Sequence, residues 1–221
     1  MILSIETATK NCSVALSDKG VVLAVKEVNS GDYSHGENLH VFIRDIISDS
    51  NLRFEDLDAV AVSKGPGSYT GLRIGVSAAK GICFAQYIPL IAVNTLAVLA
   101  AQVDMEEGFI CPVLDARRDE VYRGVYSAEG EELEPTSAHV LTSNSYSEYE
   151  GEIVFVGDAV EKTAGFIGSE NMSFLPKTFP SAKELALLAE KKLVDKSFED
   201  LAYFEPYYLK DFKVSKPKKL L

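Results

Sequence analysis

The chain has 221 residues, of which 47% are hydrophobic and 25% charged, and its formal net charge is −11. These values exclude a disordered chain and predict one large or two small globular domains. The negative charge disfavours nucleic acid or an anionic membrane as a ligand of the bulk surface. No run approaches the ~20 apolar residues of a membrane span. The absence of a signal-peptide pattern and the three widely spaced cysteines predict a cytoplasmic protein.

Strand and helix patterns alternate through the first half of the chain. In order, they predict strands at residues 2–6, 13–17 and 21–28, a helix at 36–50, a strand at 58–63, a glycine-rich helix, a strand at 89–93 and a helix at 95–103. The order β-β-β-α-β-α-β-α is typical of a mixed α/β unit of about one hundred residues.

The second half begins again with strands. They are predicted at residues 110–114 and 120–127 on either side of a charged turn at 115–119, followed by an acidic connection at 129–134, a strand at 153–156, a helix at 160–166 and a last helix capped by Ser181. Because both halves open with antiparallel strands, we expect a duplicated α/β fold with mixed sheets. The predicted domains are 1–104 and 105–221, with the last residues able to pack back on the first domain.

The most informative stretch runs from residue 62 to residue 81. A short apolar strand leads into Gly65-Pro66-Gly67, a tight turn that few side chains could make. Ser68 or Thr70 can cap the helix that follows, and its first turns carry four small residues, Gly71, Gly75, Ala78 and Ala79. Each glycine costs ~1 kcal/mol against alanine in a helix, so something must approach this backbone closely.

The stretch does not satisfy the common nucleotide motifs. Leu72 follows Gly71 where a Walker A loop needs lysine, and Thr70 takes the place of the third glycine of a dinucleotide loop. A helix N-terminus can still hold an anion through its N–H groups. The stripe of small residues on this helix favours close packing against another helix instead. Arg73 is expected at the edge of that stripe, available to a carboxylate or a phosphate.

The residues give little support to metal or nucleophilic chemistry. His35 and His40 are five positions apart, about 140° around a helix, and cannot chelate one ion as an i, i+4 pair would. We therefore expect polar surface histidines and no metal site. Ser68 lacks the flanking glycines of a nucleophile elbow. Carboxylates at strand ends and turns leave an acid/base pair open: Glu6, Asp115, Asp119, Glu120 and Asp158.

Two polar segments have alternative interpretations. Glu6, Thr7 and Thr9 between the first two strands can surround a nucleotide phosphate and its metal, or they can form an ordinary polar hairpin loop. The C-terminal tail concentrates positive charge on an otherwise acidic chain, through Lys210, Lys213, Lys216, Lys218 and Lys219. Such a tail is either a solvated end or a contact for RNA or an acidic partner.

Five segments carry a further, specific pattern: residues 2–16, 33–39, 65–75, 93–96 and 115–122. Together they resemble the TsaB (YeaZ) family of bacterial tRNA threonylcarbamoyladenosine biosynthesis proteins, related to the glycoprotease-like (M22) proteins. The resemblance implies an actin-like fold, as in Hsp70, sugar kinases and ribonuclease H, with two related domains. It implies a partner of the catalytic paralogue TsaD, which acts with the ATPase TsaE to place a threonylcarbamoyl group on an adenosine beside the tRNA anticodon. Any tRNA contact of this chain is expected to be indirect or through the lysine-rich tail.

The resemblance also suggests why this chain would be a non-catalytic subunit. TsaD-like chains carry two metal-binding histidines in an Asn-His-x-x-x-His segment, and Thr95 and Leu99 occupy those positions here. Neither side chain can replace an imidazole on iron or zinc. Glu6 stands where the family usually has aspartate, which weakens a nucleotide-metal role for its loop. An independent actin-like ATPase or kinase is the alternative, and a metallopeptidase a weaker one.

The family's interface with TsaD, or with a second copy in a homodimer, lies on the helices that correspond to residues 36–50 and 70–86. A bound ATP or ADP is expected, if anywhere, at this interface. The predicted interface residues are Gly67, Ser68, Tyr69, Thr70, Gly71, Arg73, Gly75, Ala78, Ala79, His35 and Leu39.

Overall fold

A computed structural model describes residues 1–29 and 34–210. Tyr33 of the 33–39 motif and the tail lysines Lys213, Lys216, Lys218 and Lys219 lie outside these ranges. Within them, no helix combines the length and the apolar character that crossing a bilayer requires.

The first domain is built on a five-stranded sheet with three helices. Its strands are β1 (Ile2–Glu6), β2 (Cys12–Asp18), β3 (Val21–Val28), β4 (Ala59–Gly65) and β5 (Leu90–Asn94). Its helices are α1 (His35–Asp49), α2 (Tyr69–Gln86) and α3 (Thr95–Ala100), with a short 3-10 turn at Phe54–Asp56. The strand order is β3-β2-β1-β4-β5.

The second domain repeats this plan. Its strands are β6 (Phe109–Asp115), β7 (Glu120–Ser127), β8 (Glu132–Val140), β9 (Ile153–Val156) and β10 (Met172–Phe174), and its helices are α4 (Val160–Ala164) and α5 (Ala182–Val194). The order β10-β9-β6-β7-β8 matches the first sheet strand for strand when it is read backwards. In each sheet, the first three strands in chain order pair antiparallel with one another. The last two strands extend the sheet in parallel from the first strand. The predicted α/β fold of two related, mixed-sheet domains is therefore confirmed.

Helix α5 covers the first sheet, although it follows the strands of the second. The central strands β1 and β4 are buried on both faces, so each face of this sheet needs an apolar cover. Leu39 and Ile43 of α1 belong to the core on one face, whereas Leu185 and Ala189 of α5 pack with Ile2 on the other. The division at residue 104 thus separates the two sheets, while α5 belongs by packing to the first domain.

Some elements differ from the sequence prediction. Residues 129–134 were expected to be an acidic connection, but β8 begins at Glu132 and pairs antiparallel with β7. This edge strand buries only Thr136 and therefore shows no apolar alternation. Strand β10 has three residues and was not predicted. Helix α3 ends at Ala100 rather than at Val103. Ser181 is the N-cap of α5 as predicted, and its hydroxyl accepts a hydrogen bond from Lys183 N.

Candidate functional site

The turn at Gly65-Pro66-Gly67 connects buried β4 to the start of α2. Gly65 has a φ of +111°, a region that favours glycine, and a Cβ there would lie 2.8 Å from the carbonyl oxygen of Tyr207. Ser68 is the N-cap of α2, and its hydroxyl accepts a hydrogen bond from Gly71 N at 3.3 Å. The prediction that this segment is a strand, a tight turn and a capped helix is confirmed.

The glycines of this segment face the loop between β1 and β2. A Cβ at Gly67 would lie 2.3 Å from the carbonyl oxygen of Ala8, and one at Gly71 would lie 2.2 Å from the carbonyl oxygen of Thr7. A Cβ at Gly75 would lie 2.2 Å from Thr7 Oγ1. The predicted close approach to this backbone is confirmed, but the neighbour is a loop of the same chain. The inference that the stripe meets a helix of a partner is corrected accordingly.

Hydrogen bonds fasten this loop to the first turn of α2. Thr7 Oγ1 donates to the Gly71 carbonyl oxygen at 2.8 Å, and Ser68 N donates to the Ala8 carbonyl oxygen at 2.6 Å. Thr7 is 1% exposed and Thr9 is 4% exposed. The loop is thus buried beneath α2, and its polar atoms bond to the chain itself. Of the two alternatives for Thr7 and Thr9, this arrangement favours the ordinary polar loop over an open nucleotide loop.

Glu6 is a buried carboxyl group at the end of β1. Its Oε1 accepts a hydrogen bond from Ala8 N at 2.6 Å, and its Oε2 accepts one from the Ser63 hydroxyl. Burial raises the pKa of Glu6 from 4.5 to about 7, although these hydrogen bonds act in the opposite direction. Folding therefore favours the protonated, neutral form of this carboxyl group. Its side chain is not exposed to a ligand in solution.

Two predicted interface residues of α1 are in the core. His35 is 2% exposed, its Nε2 lies 2.7 Å from the Thr9 carbonyl oxygen, and burial lowers its pKa. Leu39 is fully buried in the first core. The expectation of a surface histidine at position 35 is therefore wrong, and His35 and Leu39 cannot touch a partner in this conformation. The same correction applies to three buried small residues of α2, Gly71, Gly75 and Ala79. Ala78 is also buried, but it lines the groove between α1 and α2 and stays a candidate interface residue.

The remaining predicted interface residues lie on the surface. Tyr69, Thr70 and Arg73 are exposed, and Gly67 and Ser68 are half-buried at the start of the helix. The groove between α1 and α2 is also lined by three residues that the sequence analysis did not select, His40, Ile74 and Ser77. Helical spacing could have found Ser77, since it lies one turn after Arg73 on the same side.

Arg73 is the charged group of this groove. Its Nη1 donates a hydrogen bond to the Tyr69 hydroxyl at 2.7 Å, and its guanidinium lies 5.3 Å from the centre of the Tyr69 ring. Within residues 1–29 and 34–210, Arg73 forms no ion pair with a carboxylate. The groove thus presents an aromatic ring and an uncompensated positive charge.

The positions that align with metal-binding histidines are filled by core packing. Thr95 is fully buried, and its hydroxyl accepts a hydrogen bond from Gly65 N at 3.2 Å. Leu99 is fully buried in the apolar cluster between the two sheets. In the described part of the chain, no three His, Cys, Asp or Glu side chains come together as a metal site would need.

Two of the four predicted carboxylates of the second domain form ion pairs. Asp115 pairs with Lys162, and Glu120 pairs with Lys210. Asp158 accepts a hydrogen bond from Asp115 N at 2.9 Å, and burial raises its pKa. Asp115 and Asp158 are thus neighbours, and the charge of Asp115 adds to the rise in the pKa of Asp158, whereas Lys162 pairs with Asp115.

Comparison with known proteins agrees with the duplicated fold and the motifs. The sequence profile described as TsaD, tRNA N6-adenosine threonylcarbamoyltransferase, matches residues 31–218. The TsaB proteins of Escherichia coli and Bacillus subtilis, described as tRNA threonylcarbamoyladenosine biosynthesis proteins, are 30% and 31% identical to this chain. These alignments cover 95% and 86% of this chain, and 94% and 87% of the two relatives. The chain belongs to the TsaB family.

The solved structure of YeaZ from Pseudomonas aeruginosa superposes with a TM-score of 0.79 at 27% identity, covering 94% of this chain and 99% of that one. A second Pseudomonas aeruginosa structure, described as similar to peptidase YeaZ, gives a TM-score of 0.80. The family resemblance of the sequence motifs is thereby confirmed, and the chain's role lies in threonylcarbamoyladenosine synthesis on tRNA.

Proposed function

We propose that this chain is a non-catalytic subunit that docks a TsaD protein through α1 and α2 and so supports threonylcarbamoyl transfer to tRNA. The observation that carries the proposal is the closed loop at Glu6–Thr9. The Thr7 hydroxyl and the Ala8 carbonyl bond to the first turn of α2, and three glycines leave no space between helix and loop. Because the loop is packed against α2 in this way, it leaves no open site for a phosphate. The chain would then act by binding a partner through its surface.

The exposed side of α2 has the composition of a docking surface. Arg73, Ser77 and Phe84 share one side of the helix by their spacing of four and seven residues, and all three are exposed. Phe84 is 74% exposed, a large apolar area for a surface side chain. Aromatic residues and arginine are enriched among the residues that dominate binding energy at protein interfaces. The partner that fits is a TsaD surface with apolar side chains around a carboxylate.

The proposal extends to further components that the family resemblance implied. TsaE would join a larger complex, ATP or ADP would bind at the interface with TsaD, and the chain would form a homodimer in the absence of TsaD. The location would be the cytoplasm. Contact with tRNA would be indirect or through the lysine-rich tail. Arg73 in the groove supports a negatively charged ligand at the interface. A guanidinium can donate two parallel hydrogen bonds to a phosphate or to a carboxylate.

Reconstitution with single omissions tests the proposed function. The chain and TsaD should co-elute on size exclusion, and threonylcarbamoyladenosine should form on tRNA only when TsaD is present. The chain alone should show no ATP hydrolysis above blank. Modification of tRNA by the chain without TsaD would contradict a non-catalytic role, and full modification by TsaD and TsaE without the chain would contradict the need for it.

Removing the positive charge of the groove should weaken docking. In Arg73→Ala we expect the affinity for TsaD to fall roughly thirtyfold, about 2 kcal/mol, because a desolvated carboxylate on the partner would lose its counter-charge. Titration calorimetry with purified TsaD measures this affinity. Arg53→Ala is the matched control, since Arg53 is exposed and pairs with Glu55 at the surface. Equal affinities for the two variants would remove Arg73 from the interface.

A further inference from the structure

The chain beyond α5 returns over the first domain as an irregular segment, which we call the C-terminal strap (residues 199–210). Lys80 of α2 donates a hydrogen bond to the Phe204 carbonyl oxygen at 3.0 Å. Tyr207 N donates to the Lys64 carbonyl oxygen at 2.7 Å, at the end of β4. The first part of the strap is therefore fastened beside the turn that begins α2.

The end of the strap is fastened to the second domain. The Lys210 ammonium pairs with the Glu120 carboxylate and donates to the Ala116 carbonyl oxygen at 3.4 Å. It also lies 5.6 Å from the centre of the Tyr122 ring. Because anchors lie on both sides of Tyr208, at positions 207 and 210, the backbone there has little freedom to move away from α2.

Tyr208 connects the strap to the docking groove. Its ring centre lies 5.2 Å from that of Tyr69, with an angle of 39° between the planes. Tyr69 in turn accepts the hydrogen bond from Arg73 and lies under its guanidinium. The three side chains form a continuous row from the strap to the charged group of the groove. Both rings also remain partly open to solvent, with Tyr208 41% and Tyr69 37% exposed.

We infer that Tyr208 is a positioning residue of the docking surface, which holds Tyr69 and through it Arg73 in the orientation that a carboxylate on the partner recognises. The inference rests on the proposed function. Without the Tyr208 ring, Tyr69 has more rotamers available, and the guanidinium that bonds to it loses a fixed position. Pre-organised side chains bind more tightly because less entropy is lost on association.

Affinity for purified TsaD tests the inference. Tyr208→Ala should bind TsaD five- to tenfold more weakly, the range expected for loss of one aromatic pair, and Tyr208→Leu should show a similar loss if the alanine variant folds poorly. Tyr208→Phe keeps the ring and should bind within twofold of the wild type. Tyr203→Ala is the matched control, since Tyr203 is a strap tyrosine that is 84% exposed. It should bind like the wild type.

A double-mutant cycle separates positioning from direct contact. In a Tyr69→Ala background, Tyr208→Ala should cause no further loss, because its effect acts through Tyr69. An equal loss in both backgrounds would overturn the inference, since Tyr208 would then contact the partner itself. Tighter binding by Tyr208→Ala would overturn it too, because the strap would then compete with the partner. If the wild-type chain and the Tyr203 control bind TsaD but Tyr208→Ala binds equally well, only this inference fails. Absence of wild-type binding would contradict the proposed function as well.

Discussion

Replacing Gly71 by alanine is expected to destabilise the isolated chain by about 3 kcal/mol, because overpacking a closed contact forces the backbone to move. The added Cβ would lie 2.2 Å from the Thr7 carbonyl oxygen, and a backbone atom cannot rotate away as a side-chain end can. The displaced loop would also lose the hydrogen bond from Thr7 Oγ1 to the Gly71 carbonyl oxygen. Urea unfolding at neutral pH measures the change.

The same helix supplies the matched control for this prediction. Gly81 is exposed, and a Cβ there would meet no atom within 4 Å. Gly81→Ala should therefore gain roughly 1 kcal/mol from the better helix propensity of alanine. The two variants make the same chemical change in one helix and are expected to move stability in opposite directions. Stabilisation by both would show that the loop does not pack against α2.

Packing against the loop also decides which variants can report on docking. A bulky residue at Gly75 would overlap Thr7 Oγ1 inside the chain, where a Cβ alone would already lie at 2.2 Å. Loss of the TsaD complex in such a variant would therefore follow from a damaged monomer. Arg73 and Ser77 are better positions, because their side chains already point to solvent.

The sequence predicted the α/β architecture well because its strongest signals are local. Apolar runs of strand length and an amphipathic helix identified β1, β3, β7 and α1 to within one or two residues. Strand β8 was missed because an edge strand that buries one residue has almost no apolar pattern. Its pairing with β7 is a tertiary contact that the segment's own composition does not encode.

The site was predictable only in part, for a related reason. The small residues of α2 required a close neighbour, and that much followed from helix propensity. Which neighbour it is depends on a contact between Thr7 and Gly71, 64 positions apart, that only the folded sheet brings about. The strap contacts are of the same kind, since nothing near Tyr208 in the sequence indicates that it meets Tyr69.

Replacing Glu6 by glutamine is expected to make the chain more stable at pH 8 by up to about 3 kcal/mol. The folded-state pKa of about 7 lies above the unfolded value of 4.5, so folding favours the protonated acid. Stability from this group is fully present below pH 4.5 and is lost as the pH rises to about 7, by about 3 kcal/mol for a shift of this size. A glutamine stays neutral at every pH and avoids that loss. Urea unfolding of the variant and the wild type at pH 5 and pH 8 measures the difference in stability.

The comparison between variant and wild type at each pH isolates Glu6 from the other titrating groups. The lowered pKa of His35 makes both chains less stable as the pH falls below 6.5, so its contribution cancels in the difference. Glu37→Gln makes the same change at an exposed position of α1 and should alter stability by less than about 0.5 kcal/mol at either pH. An equal effect of both variants would show that the carboxyl group of Glu6 is not buried.

The Glu6 variant also separates a structural role from a catalytic one. Glutamine can keep the hydrogen bond from Ala8 N through its Oε1 and can donate from its amide to the Ser63 hydroxyl, so the loop should keep its shape. A subunit that supports TsaD needs that shape and not the charge, and we expect tRNA modification in the reconstituted complex to be within twofold of wild type. Loss of modification by a variant that remains folded and bound to TsaD would mean that the carboxylate takes part in the chemistry. The closed loop would then have to open in the complex.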